Sequence, residues 1–321
     1  MLLIKRLIYY LKMKFKKPKF WDNQKISFWS ILLFPLSAIY LIINFIIKII
    51  KIQKKFPIPV ICVGNIYLGG TGKTPLVRKI FNISKSLGKN PAFVKKSYNY
   101  LFDEINMLKM TGKIYTHKKR EESIFSAFAD KHNVIILDDG FQDFSIKPNF
   151  SILCFNSIQS VGNSFVIPSG PLREPLRSIS RADCIVINGE KNLELESKLN
   201  NNLNKKKLPI FYSKYVIKNV EKLRDKEIVA FAGIGNPSNF FNLLKENELN
   251  VKKTYSFPDH HDYSQKDFDK IEGNTSAIIV TTEKDYYRIH DDNQKQNIYC
   301  VKVELEIENE DKLRDLIKQY L

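Results

Sequence analysis

The chain divides by the spacing of its apolar residues. From Ile26 to Ile47 it carries no charge and includes Ile31-Leu-Leu-Phe34 and Leu41-Ile-Ile43. As a helix this run extends about 33 Å at roughly 1.5 Å per residue, enough for a bilayer core of about 30 Å. Beyond it the apolar runs shorten. Ile58-Pro-Val-Ile-Cys-Val63 ends at Gly64-Asn65 and reads as a buried strand. Leu76 to Leu87 has helical spacing and stops at Gly88. Val134-Ile-Ile-Leu137, Ser151-Ile-Leu-Cys-Phe155 and Ala182 to Asn188 are further buried strands. Strands that are apolar throughout and alternate with helices predict an α/β fold, a parallel sheet covered on both faces.

From Leu193 to Lys207 the chain turns to Asn, Lys, Glu and Leu, a solvated helix or surface connection. A second α/β set follows: Glu227-Ile-Val-Ala-Phe231, a helix from about Pro237, Val251 to Phe257, and a helix opening at Ser264 with Asp267 as a box-like cap. Ala277 to Thr281 and Val301 to Leu305 are strands before a last helix. Three parts are expected: a basic membrane-associating segment over 1–55, a nucleotide-binding domain over 56–215, and a smaller α/β domain over 216–321 that closes over the site.

Charge changes the picture of the first part. The 321 residues hold 51 Lys+Arg against 34 Asp+Glu, a formal +17. Hydrophobic residues at 44% and charged residues at 26% exclude both a disordered tail protein and a polytopic membrane protein. Residues 1–55 hold twelve basic residues and one acid, Asp22, so 12 − 1 = +11 of the excess lies there. A basic total in general suggests nucleic acid. Here the excess flanks an apolar run, so an anionic membrane surface is the expected partner, with no nucleic acid and no obligate protein partner. A span with a cytoplasmic body behind it puts eight basic residues outside, against the positive-inside rule. An interfacial helix keeps both basic flanks on the anionic leaflet. Pro35, Ser27, Ser30, Ser37 and Asn44 also count against a span. A single span and a buried core helix remain as alternatives. A signal peptide is not expected, because the run starts late and lacks a small-residue cleavage site. The four cysteines are far apart, so zinc and a disulfide framework are not expected.

The candidate chemistry begins with Tyr67-Leu68-Gly69-Gly70-Thr71-Gly72-Lys73-Thr74, after the first core strand and before a helix. Glycines let backbone N–H groups turn toward phosphate, and the helix N-terminus adds partial positive charge. Lys73 is placed to reach the β- and γ-phosphates and the Thr74 hydroxyl to hold magnesium. The strict pattern has glycine where this chain has Tyr67, so the loop is a variant. Val134-Ile-Ile-Leu-Asp138-Asp139 supplies the carboxylates that a magnesium-holding strand end needs. Together these predict a P-loop NTPase-like sheet handling ATP or GTP with Mg2+.

Several stretches, in order, resemble the tetraacyldisaccharide 4′-kinases of the lipid A pathway at the Gram-negative inner membrane. They are Phe20-Trp21, Pro35-Leu-Ser-Ala-Ile-Tyr40, Val63-Gly-Asn-Ile with Gly69-Gly-Thr-Gly-Lys-Thr-Pro75, and Asp138-Asp-Gly-Phe-Gln142. Further on come Pro168-Ser-Gly-Pro-Leu-Arg-Glu-Pro175 with Arg181-Ala-Asp183, Phe257-Pro-Asp-His-His261 and Thr281-Thr-Glu-Lys-Asp285. The resemblance implies transfer of the ATP γ-phosphoryl group to the 4′-hydroxyl of a tetraacylated disaccharide 1-phosphate, at the cytoplasmic face of the inner membrane. It implies Asp103, in Phe102-Asp-Glu104, as the proton acceptor, with His260 or His261 as its partner. Glu174 joins the magnesium shell by the same resemblance, and Gln142 and His261 face the substrate.

Arginine is scarce, nine against 42 lysines, yet Arg173, Arg177 and Arg181 recur at spacing four. On a helix they share one face and either clamp phosphates, of nucleotide or substrate, or pair with Glu174 and Asp183. Two stretches depart from the family pattern. Lys95-Lys-Ser-Tyr-Asn99 stands where Ser-Arg-Gly-Tyr-Gly is usual, and Asp143 replaces a histidine. The alternative function is a membrane-associated ATPase switch of the partition or division-site type. Those proteins carry a signature lysine where this chain has Leu68, and their membrane helix is usually carboxy-terminal.

Overall fold

The computed structural model describes residues 17–23, 26–97, 102–203, 206–273 and 276–321. Lys5, Arg6, Lys12, Lys14, Lys16 and Lys25 of the basic segment, and Tyr98 and Asn99 of the divergent stretch, lie outside the described residues. The first apolar run is α1 (Phe28–Ile50). Then come β1 (Val60–Gly64), α2 (Lys73–Ser86), β2 (Pro91–Lys96), α3 (Phe102–Lys109), β3 (Ile114–His117), α4 (Arg120–Ala129), β4 (Val134–Asp138), β5 (Phe150–Asn156), β6 (Cys184–Asn188), α5 (Leu193–Asn200) and β7 (Ile210–Ile217). The chain continues through β8 (Glu227–Ala232), α6 (Pro237–Glu246), β9 (Asn250–Ser256), α7 (Gln265–Glu272), β10 (Ile278–Thr282), α8 (Glu283–Tyr286), α9 (Asp292–Gln296), β11 (Ile298–Val301), β12 (Val303–Ile307) and α10 (Glu310–Lys318).

The large sheet has the order β12-β7-β6-β5-β1-β4-β2-β3 and is parallel except where β12 meets β7. β1, β4, β5 and β6 are buried at every residue. The two-residue period sorts their side chains to opposite faces. Val60, Cys62, Ile135 and Leu137 join one core, and Ile61, Val63, Ile136 and Ile152 the other. A parallel sheet gathers the carboxyl ends of its strands on one edge, where α/β folds bind ligands. The smaller sheet, β11-β10-β8-β9, is parallel throughout. Ser264 and Asp267 form the capping box expected at the start of α7.

The expected division at residue 216 changes at the far end. Val301 to Leu305, read as one strand, is two strands that part at Lys302 and serve different sheets: Val301 ends β11 in the small sheet, and Val303 opens β12 against Ile217 of β7. Leu305, Leu313 and Ile317 pack into the large sheet's core. The small sheet is therefore an insertion before a final return to the first unit.

α1 is not a core helix, since 11% of its most apolar window is buried. Its inward stripe is polar. Ser30 Oγ accepts from Asn163, Ser37 Oγ donates to the Val166 carbonyl at 2.8 Å, and the Tyr40 hydroxyl donates to the Arg173 carbonyl at 3.0 Å. Trp29, Leu32, Ile39, Ile43 and Ile46 stand exposed on its outer side. Of the serines that argue against a span, Ser30 and Ser37 form the docking face and Ser27 caps the helix.

Candidate active site

The glycine loop is held from below. Asn65 Nδ2 donates to the Tyr67 carbonyl at 2.6 Å and to Thr71 Oγ1 at 3.0 Å, and Asn188 Nδ2 donates to the Thr71 carbonyl at 3.1 Å. Gly72 is left-handed at φ 89, and a Cβ there falls 1.8 Å from Asn188 Nδ2, so only glycine fits. Lys73 opens α2, whose first turn contains no acid, leaving the N-terminal N–H groups and partial positive charge for an anion.

A cavity of about 590 Å³ lies over this loop at the carboxyl ends of β1, β2 and β4. Leu68 to Pro75, Lys95, Glu104, Asp138, Asp139, Arg173 and His260 line it, with Ile234, Phe240 and Leu243 from the smaller unit. Asp138 is buried at the end of β4, and Lys95 Nζ pairs with its Oδ2 while Oδ1 is buried without a partner. Asp139 turns left-handed at φ 56, meeting Arg173 Nη1 at 2.8 Å and Lys73 Nζ at 3.7 Å. Burial pushes the Asp139 carboxyl up, but Lys73 and Arg173 outweigh it and hold it well below the usual range. Burial likewise opposes charge on Lys95, yet Asp138 and Glu104 hold its ammonium above the usual lysine range. Glu104 is drawn down to about 2, where Lys95 at 2.7 Å and Lys284 at 3.5 Å overcome its burial.

At the opposite wall His260 meets Asp103, which does not itself line the cavity, through a residue that sequence reasoning missed. Asp103 and Arg288 are both buried, and Arg288 donates to Asp103 Oδ2 from Nη2 at 2.6 Å and Nε at 3.0 Å. Arg288 also donates to the Gly233 carbonyl at 2.6 Å and to His260 Nδ1 at 3.1 Å. Arginine only donates, so His260 Nδ1 accepts and its proton sits on Nε2. Burial and then Lys284 keep the His260 imidazole below its ordinary value, so it is neutral at pH 7. The direct Asp103–His260 approach is 3.9 Å, and Arg288 bridges them. Arg288 was within reach of the scarcity of arginine, the clue that drew attention to Arg173, Arg177 and Arg181.

The family model for tetraacyldisaccharide-1-P 4′-kinase matches residues 29–103 and 100–321. The chain belongs to the tetraacyldisaccharide 4′-kinase family. It is 41% identical over 319 residues to the tetraacyldisaccharide 4′-kinase of Pelagibacter ubique, covering 95% of this chain and 98% of that one. The Rickettsia canadensis enzyme of that name is 34% identical over 322 residues, with 94% and 96% covered. The crystal structure of the "apo" form of LpxK from Aquifex aeolicus in complex with ATP matches with a TM-score of 0.71 and 27% identity, covering 91% of this chain and 99% of that one. The chain is thus an ATP-dependent lipid A 4′-kinase, and the partition-type ATPase reading falls away.

Within this kinase several expected site residues lie elsewhere than their assignment places them. Tyr67 does not line the cavity: it is buried, and its hydroxyl donates to Asp22 at 2.6 Å, so its side chain braces the N-terminal segment. Glu174 also lies outside the phosphate cavity, its oxygens held by Arg181 at 2.7 and 3.0 Å and by Gln142 at 3.2 Å. His261 turns away, stacked on Phe257 with Nε2 3.1 Å from Asp267. The three arginines do not share a helix face, because Leu176–Arg181 is a short 3-10 turn that begins after Arg173. Arg173 serves Asp139 and Arg181 pairs with Glu174, yet both join Arg177 in lining a second cavity of about 280 Å³ at the foot of α1. That cavity also includes Leu41, Phe45, Lys48 and Phe144. Asp183 accepts from the Ser151 backbone. The divergent Asp143 pairs with Arg120 at 2.9 Å, and Arg120 Nη2 donates to the Asp139 carbonyl at 2.8 Å.

Proposed function

We propose that this kinase performs its transfer with the side chains that meet between the glycine loop and Arg288. The N–H groups of Gly70, Gly72, Lys73 and Thr74 and the Lys73 ammonium bind the triphosphate. Ile234, Phe240 and Leu243 provide an apolar wall for the base. Thr74 and Asp138 would hold Mg2+, a role supported by the unpartnered, buried Asp138 Oδ1 in the same cavity as Thr74. When bound there it would supply neutralisation of the phosphate charge. Arg173, tied to Asp139, adds a fixed fork at the phosphate end.

The 4′-oxygen forms its bond to the γ-phosphorus as the bond to the β–γ bridging oxygen breaks, releasing ADP, and the hydroxyl proton passes to Asp103. His260 orients the hydroxyl and Arg288 positions both groups. Arg173 lines both cavities, so a disaccharide entering at the foot of α1 reaches the triphosphate past that side chain. Arg177 and Lys48 suit its 1-phosphate, and Gln142, which donates to the Asn65 carbonyl at 2.9 Å, stands beside that path.

The kinase lies on the anionic cytoplasmic leaflet of the inner membrane with α1 in the interface. The reading is supported by the docking of α1 along the body from Ser30 to Tyr40, which leaves its apolar side outward. The single observation that carries the assignment is the convergence, in one cavity, of the glycine loop, Lys73, Asp138, Asp139 and His260, with Asp103 and Arg288 buried directly behind His260. Asp103→Asn is expected to lose lipid phosphorylation while binding a fluorescent ATP analogue normally. Near-normal turnover in that variant sinks the assignment.

A further inference from the structure

Lys95 stands where the family pattern has serine, and its place in the sheet decides what it does. β2 runs parallel beside β4 with Val94 opposite Leu137, so the next residues along, Lys95 and Asp138, are neighbours at the ligand-binding edge. The Lys95 side chain is 4% exposed, and its Nζ contacts Asp138 Oδ2 directly and Glu104 Oε2 at 2.7 Å. Two carboxylates therefore share one fixed cation inside the cavity. The other carboxylates around the loop are likewise paired, Asp139 with Arg173 and Glu283 with Arg78.

We propose that Lys95 is an internal cation seated on the Asp138 carboxylate of the resting kinase, so that this chain takes up a divalent ion only together with the nucleotide's phosphates. The inference rests on the assignment of Asp138 and Thr74 to the metal. A free divalent ion approaching Asp138 meets an ammonium already on one oxygen, and like charges at contact in a buried site repel strongly. The triphosphate brings the negative charge that offsets this repulsion. Its oxygens also give the Lys95 ammonium a second place to bind.

The test is Mn2+ binding to the full-length kinase in detergent micelles, followed by electron paramagnetic resonance, with and without a non-hydrolysable ATP analogue. Lys95→Ser and Lys95→Gln remove the charge, and Lys95→Arg keeps it. Without nucleotide, the neutral variants are expected to bind Mn2+ at least about tenfold more tightly than wild type, and Lys95→Arg to stay weak. With the analogue, all four proteins bind the ion. Equal Mn2+ affinity in wild type and a folded neutral variant overturns the proposal, as does wild-type binding of Mn2+ alone as tight as in the analogue's presence. If no protein binds Mn2+ even with the analogue, the metal assignment itself fails. Gln is nearer lysine in bulk than Ser, so its variant carries the comparison if Lys95→Ser does not fold.

Discussion

Arg288→Ala removes a side chain that reaches Asp103, His260 and the Gly233 loop together. Its guanidinium makes two donations to Asp103 Oδ2, one to the Gly233 carbonyl, one to His260 Nδ1 and one to Asp285 Oδ1 at 3.2 Å. Asp285 keeps the Tyr263 hydroxyl at 2.9 Å and Thr282 Oγ1 at 2.7 Å, and Gly233 keeps the His260 N–H at 3.2 Å. The loss therefore concentrates on Asp103, which stays buried without its cation. Removing one partner of a buried ion pair costs about 3–5 kcal/mol. A loss of about 3–5 kcal/mol lowers the melting temperature by roughly 6–20 °C for a unit of this size. Calorimetry on wild type, Arg288→Ala and Arg288→Ala with Asp103→Asn measures it. The double variant should recover more than about 1.5 kcal/mol, because no charge is left stranded. Turnover of the single variant should fall by about a hundredfold, the scale set by misplacing a reacting group. A single variant within about 1 kcal/mol of wild type, with no recovery in the double, refutes the reasoning.

Two further outcomes follow from the same geometry. Neutral His260 is the form that accepts from Arg288, and burial with Lys284 holds its pKa below 6.5, so kcat/KM should rise with pH along an acid limb centred below 6.5 and level off above it. Lys284→Met takes away a cation that lowers this value, so the limb should move to higher pH; an unmoved limb contradicts the assignment. The outer face of α1 predicts that Ile39→Asp with Ile43→Asp weakens binding to phosphatidylglycerol vesicles by at least about tenfold, since a fully buried isoleucine contributes about 1.5–3 kcal/mol. Both side chains are exposed, so the melting temperature should hold, and unchanged vesicle binding removes α1 from the membrane contact.

What the sequence made legible was local. β1, the glycine loop and α2 are contiguous, and a fully apolar strand followed by glycines and a helix has few ways to fold. β4 announced Asp138 and Asp139 in the same way, and the capping box of α7 needs only four residues. What stayed hidden depends on the meeting of distant segments. Arg288 and Asp103 lie 185 residues apart, and only the docking of the small sheet joins them. The return of β12 was obscured because Val301 and Val303 are alike in polarity, and only the switch of sheets at Lys302 separates them. In α1 the serines looked like blemishes in an apolar run, because the partners of Ser30 and Ser37, namely Asn163, Val166 and Ser169, lie far along the chain. Lys95 was visible as a departure, but its meaning needed the register of β2 against β4.

In the proposed reaction the γ-phosphoryl group of ATP moves onto the lipid through the cavity that Lys73 lines. The purified kinase is incubated with γ-labelled ATP and tetraacyldisaccharide 1-phosphate in mixed micelles. Labelled bisphosphorylated lipid is expected from wild type and almost none from Lys73→Ala, with fold and vesicle binding intact. No labelled lipid from wild type, or equal labelling by the two proteins, contradicts it.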